Sequence, residues 1–107
     1  MATSKSTMDY IMDQLSSVHH MRNRKMFGEY AVYCQDKVVA LVCDNELFVK
    51  ITEAGKKFMG KSYVEGPPFP GAKPWMRVDG DKLEDREFLS ELIEITTKAL
   101  PVAKKKK

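Results

Sequence analysis

The sequence predicts an α+β fold in two layers: an antiparallel sheet, made of a three-stranded meander plus a further strand, with N- and C-terminal helices on one face. Three observations predict it. Apolar residues recur at helical spacing near both ends, residues rich in Val, Tyr, Phe and Leu fill the stretch 26–51, and polar pairs interrupt that stretch at Gln35-Asp36 and Asp44-Asn45. With 107 residues, 43% of them hydrophobic, the chain holds material for one core and therefore one domain.

Taken in order, residues 1–6 read as a flexible N-terminus. Ser6, with Asp9 three positions on, opens an apolar series at Met8, Ile11, Met12, Leu15 and Val18, which predicts a first helix over about residues 7–18. The basic segment from His19 to Lys25 has no clear period and reads as a connector. If each polar pair is a two-residue hairpin loop, Cys34 stands opposite Lys37 and Cys43 opposite Glu46. One face of the meander then carries Ala31, Tyr33, Val38, Ala40, Val42, Leu47, Val49 and Ile51, which is assigned to the helix-covered core. The other carries Tyr30, Val32, Cys34, Lys37, Val39, Leu41, Cys43, Glu46, Phe48 and Lys50. A shift of one residue exchanges such faces, because side chains alternate with a period of two.

Thr52 is placed to cap a short helix through Met59, with Gly60 where a left-handed terminating residue is wanted. Pro67, Pro68, Pro70 and Pro74 exclude a helix and leave a stiff loop before a final strand at residues 75–78. A turn at Asp79-Gly80-Asp81 leads into a helix over about residues 82–99, whose stripe is Phe88, Leu89, Leu92, Ile93, Thr96, Ala99 and Leu100. The acidic residues Asp79, Asp81, Glu84 and Asp85 sit where caps and first-turn charges are favoured by the helix dipole. The domain spans residues 7–100, and residues 101–107 read as a disordered lysine-rich tail.

Charge and chemistry narrow the function classes. The net charge is +3, but four positive charges belong to the run Lys104 to Lys107, so the remainder carries −1. That is not the basic body expected of a nucleic-acid module; direct, non-specific nucleic-acid binding is the alternative reading, with Arg22, Arg24 and Lys25 as candidate contacts together with the lysine tail. No apolar run approaches the roughly 20 residues that span a bilayer, and the first residues lack a signal-peptide apolar region. Two cysteines are too few for a disulfide scaffold and fit a reducing, cytoplasmic setting. In the stated register Cys34 and Cys43 share a face about 20 Å apart, out of reach of a disulfide or a common metal. A cysteine-dependent activity at either would need a nearby base. His19 and His20 are adjacent, so their side chains diverge, and they read as surface residues. No phosphate loop, nucleophile elbow, paired zinc motif or kinase signature is present, which leaves no cofactor, metal, catalytic set or small-molecule substrate to assign.

The segment Arg24, Lys25, Met26, Phe27, Gly28, with Tyr30 and Tyr33 following, resembles the Arg-x-Met-Phe-Gly-x-Tyr-x-x-Tyr signature of the TfoX/Sxy N-terminal domain. Further on, Asp44 to Lys50 is similar to that family's acidic turn followed by a Glu-Leu-aromatic-aliphatic-Lys strand. Phe58, the Pro/Gly loop, Met76 and the acidic turn before the last helix stand in similar places, so the likeness covers about residues 8–100. Two departures are Glu29, where the family has a second Gly, and the chain's length, which leaves no room for the helical domain that follows in full-length competence regulators. The resemblance implies a two-layer fold like that of secretion chaperones and a non-enzymatic regulatory role in transcription of DNA-uptake genes, through contacts with the transcription machinery or self-association. The sheet face with Tyr30, Val32, Val39, Leu41 and Phe48 is the candidate partner or dimer face, because exposed apolar patches mark interfaces.

Overall fold

A computed structural model describes residues 3–26 and 28–100. Its elements are α1 (Lys5–Gln14), β1 (Met21–Met26), β2 (Glu29–Cys34), β3 (Lys37–Cys43), β4 (Glu46–Val49), α2 (Glu53–Met59), β5 (Glu65–Gly66), β6 (Trp75–Val78), α3 (Gly80–Leu83) and α4 (Arg86–Ala99). The strands form one antiparallel sheet in the order β1-β2-β3-β4-β6-β5. The predicted fold class therefore stands, with six strands rather than four.

The first helix starts earlier than its apolar stripe. Ser4, not Ser6, is the N-cap, and its hydroxyl accepts from the Thr7 N–H at 3.2 Å. Thr3 is buried, its N–H donates to Gly28 O at 3.1 Å and its hydroxyl donates to Glu29 Oε1 at 2.7 Å. The expectation of a flexible stretch over residues 1–6 is thus corrected for residues 3–6, and Met1 and Ala2 lie outside the described residues. The α-helix closes at Gln14, and the chain reaches Val18 through tight turns.

The segment read as a connector is instead a strand. Met21 to Met26 pair residue for residue with Cys34 to Glu29, although none of the six is β-branched or aromatic. Strand formation here is dictated by the partner, since propensity is a weak guide on a pleated surface. Gly28 at φ 82° supplies the left-handed position in the connection to β2. Both polar pairs form the expected two-residue loops, with positive φ at Gln35, Asp36, Asp44 and Asn45, as type I′ turns require.

Between those loops the register departs from the simple ladder. Cys34 and Tyr33 pair with Lys37 and Val38, but Val32, Ala31 and Tyr30 then pair with Ala40, Leu41 and Val42, so Val39 is an extra residue, a β-bulge. The bulge exchanges the faces of most of β2. Tyr30, Val32, Cys34 and Val39, expected on the free face, belong to the helix-covered core. Lys37 follows them, its Nζ donating to the carbonyls of Thr97 and Leu100 at 2.8 and 3.1 Å at the C-terminus of α4. Ala31, Tyr33 and Val38, expected in that core, turn the other way.

The core lies between this face and the helices. Met8, Ile11 and Leu15 from the first helix and its closing turn, Met59 from α2, and Leu89, Leu92 and Ile93 from α4 pack on Val32, Ala40, Val42, Leu47, Val49, Met76 and Val78. Burying each large side chain contributes about 1.5–3 kcal/mol. Thr52 caps α2 as expected, accepting from Gly55 N–H at 2.9 Å, and Gly60 ends it at φ 53°. Gly55 allows the close approach of α2, because a Cβ there would stand 3.2 Å from Met76 Cε. The last predicted helix is broken in two: Asp79 occupies the cap position of α3, and Asp85 caps α4 by accepting from Phe88 N–H at 3.1 Å. The capping role assigned to these acids therefore holds for Asp85. The tail at residues 101–107 lies outside the described residues.

Candidate functional site

The second face of the sheet carries no helix residue of the core cluster, and its side chains follow from the ladder. One cross-strand row runs Arg24, Ala31, Leu41, Phe48, Arg77 through five strands. Four strand spacings of about 4.8 Å give this row a length of about 19 Å. Three small or apolar residues are thus bracketed by two guanidinium groups. Beside it, Arg22 and Tyr33 are paired, and Met26 stands opposite Glu29.

The rims are electrostatically tied. Arg22 lies 4.3 Å from the Tyr33 ring centroid and reaches Asp36 at 3.4 Å. Arg77 Nε donates to Glu46 Oε1 at 2.9 Å, and Lys50 stands 5.9 Å from the Trp75 ring. Both ion pairs are exposed and hold side chains in place more than they stabilise the fold. In the centre, Leu41 is half-buried and Phe48 is 5% exposed. Gly66 flanks the Phe48 ring, since a Cβ on it would stand 4.0 Å from Phe48 Cε2. Ala31 is as buried as Phe48, so the accessible apolar surface of the row is that of Leu41, with Arg24 and Arg77 at the row's ends.

The candidate residues separate accordingly. Of the partner-face set, Leu41 and Phe48 stand on this face, whereas Tyr30, Val32 and Val39 are buried under the helices. Of the candidate nucleic-acid contacts, Arg22 and Arg24 point to this face and Lys25, paired with Tyr30, to the other. In the family signature, Arg24 and Met26 lie on this face of β1, Gly28 makes the turn, Tyr30 is core and Tyr33 carries Arg22. Phe27 lies outside the described residues. Sequence reasoning missed Arg77, Trp75 and Lys50 as site residues. A period-of-two reading of residues 75–78, with Met76 and Val78 inward, would have placed Arg77 outward.

Both thiols are free and buried. Cys34 is in the core, with its Sγ 3.5 Å from the His19 carbonyl it donates to. Cys43, on the opposite face from Cys34, is pushed up from 9.0 to about 11 by burial and then by the charges of Glu29 and Asp44. The bulge thus corrects the expectation of a shared face. His19 and His20 are exposed, and among the described residues no group of three or more His, Cys, Asp or Glu is placed to hold a metal. Among them, too, no helix is long and apolar enough to cross a membrane.

Comparison with known proteins adds two findings. A family model described as the TfoX N-terminal domain matches residues 13–100. A curated protein of Spirochaeta aurantia, named as an uncharacterized 12.7 kDa protein in the trpE 5′ region, is 38% identical over 107 residues, covering 100% of this chain and 91% of that relative.

Proposed function

The chain belongs to the TfoX N-terminal domain family, and we propose that it is a non-enzymatic regulatory or adaptor domain that binds a protein of the transcription machinery through the open sheet face. The observation that carries this reading is the row Arg24, Ala31, Leu41, Phe48, Arg77, in which the half-buried Leu41 is the accessible apolar residue between two arginines. Interface cores favour apolar contact with Arg and aromatic residues at hand. A role in transcription of DNA-uptake genes is the family-level expectation, and a cytoplasmic location goes with it. Cysteine chemistry is disfavoured by the raised Cys43 and the core position of Cys34.

Transcript profiling in a strain lacking the gene tests the reading. Restored wild-type protein and a Cys34→Ala/Cys43→Ala variant are expected to return the altered transcripts to normal, whereas Leu41→Asp is not. Full restoration by Leu41→Asp, with the variant folded by circular dichroism, would remove the open face from the function. Failure of a folded double-cysteine variant would point instead to thiol chemistry.

A further inference from the structure

The two edges of the sheet differ. At one, β5 is two residues long and runs into Pro67, so it offers a partner almost no backbone to pair with. At the other, β1 is six residues long, paired to β2 along its whole length and to nothing else among the described residues. An edge of that length presents a row of backbone donors and acceptors to an added strand.

We infer that β1 is a docking edge for an acidic, extended segment of a partner protein, which adds to the sheet as a seventh strand. This rests on the reading of the domain as a protein-binding module and names the chemistry of what it binds. Three of the six residues of β1 are cations and none is an anion. Arg22 is held by Asp36, while Arg24 and Lys25 form no ion pair among the described residues. The cations stand on both faces, Arg22 and Arg24 on the open one and Lys25 on the helix side. A strand lying in the plane of the sheet puts side chains next to both sets, whereas a polynucleotide lying on the open face meets only the first.

A second copy is a poor occupant. Antiparallel pairing of two β1 strands, centred on Asn23, on Arg24 or between them, sets Arg22 against Arg24, Arg24 against itself or Arg22 against Lys25. Like charges directly opposite are destabilising. The lysine run of the chain is excluded on the same ground. Charged edges commonly serve to prevent self-pairing, and a cationic edge that rejects its own copy admits an anionic strand.

Fluorescence anisotropy with the full chain and a labelled ten-residue peptide of Glu, Asp, Val and Thr tests this. The acidic peptide is expected to bind, Arg24→Glu/Lys25→Glu to weaken it roughly tenfold or more, and the charge-matched Lys61→Glu/Lys73→Glu to leave it nearly unchanged. Methylating alternate amides on the peptide edge that faces β1 is expected to abolish binding. Equal binding of the methylated peptide would mean charge adsorption only, and equal weakening by the two charge variants would mean a diffuse field; either overturns the inference. So would a ten-residue oligo-thymidine binding in a manner sensitive to Arg24 and Lys25 while the peptide does not. If the peptide fails yet Leu41→Asp still does not restore transcripts, the edge inference alone falls. If the peptide binds and Leu41→Asp restores them, the open-face reading alone falls.

Discussion

Leu41 and Leu47 sit one strand apart, on β3 and β4, and meet opposite fates. Leu47 is fully buried under the helices, while Leu41 is half-buried on the opposite face, which among the described residues carries no helix. The same contrast holds for the whole sheet: one face packs Val32, Val42, Val49 and Met76 against α1, α2 and α4, and the other holds a row closed off by arginines. Both faces are apolar at their centres, so composition does not distinguish the helix-covered face from the open one. What distinguishes them is the side to which the strand register turns each side chain, set by the Asp44-Asn45 hairpin for β3 and β4 and by the bulge at Val39 for β2.

The largest effect expected from breaking the comparison is on the covered side. Leu47→Ala leaves a cavity among side chains that cannot collapse into it and is expected to cost about 2–5 kcal/mol in chemical denaturation. Next comes the buried thiol at the margin of the open face. Cys43 is protonated more firmly in the folded chain than in the unfolded one, about 11 against 9.0. Its neutral form therefore contributes stability that is complete below pH 9 and lost as pH rises through 11. Denaturation of wild type and Cys43→Ala across that window should show the wild type losing more stability with rising pH; parallel curves would contradict the assignment. In the same protein iodoacetamide should alkylate Cys43 more slowly at about pH 8 than it alkylates a free cysteine. The smallest effect belongs to the rim: Glu46→Ala removes one exposed partner of Arg77 and is expected to change stability by about 1 kcal/mol or less. A larger loss would mean that the rim supports the fold rather than the surface.

Much of this architecture was readable from the residues. Asn and Asp tolerate left-handed backbone, so Asp44-Asn45 and, less plainly, Gln35-Asp36 marked their loops. Thr52 and Gly60 bounded α2, and the apolar stripe located α4. The bulge was not readable, because the run Val38-Val39-Ala40-Leu41 offers no Gly or other local mark, only consecutive apolar residues that suit either face. A single extra residue there moved Tyr30, Val32 and Val39 into the core and Ala31, Tyr33 and Val38 out of it. Strand β1 was hidden for a different reason: its six residues are polar, charged or Met, and the pairing that makes them a strand comes from β2. Its one local signal was Gly28, in a two-residue connection to Glu29.

The bulge turns Val39 inward with Tyr30 and Val32, while Leu41, held by its pairing with Phe48, keeps its place on the opposite face. Methyl relaxation by a soluble gadolinium chelate in dilute solution tests this placement most directly. The Leu41 methyls are expected to relax strongly while those of Val32, Val39 and Val42 stay sharp. Val39 relaxing as fast as Leu41, or Leu41 as protected as Val42, would contradict it.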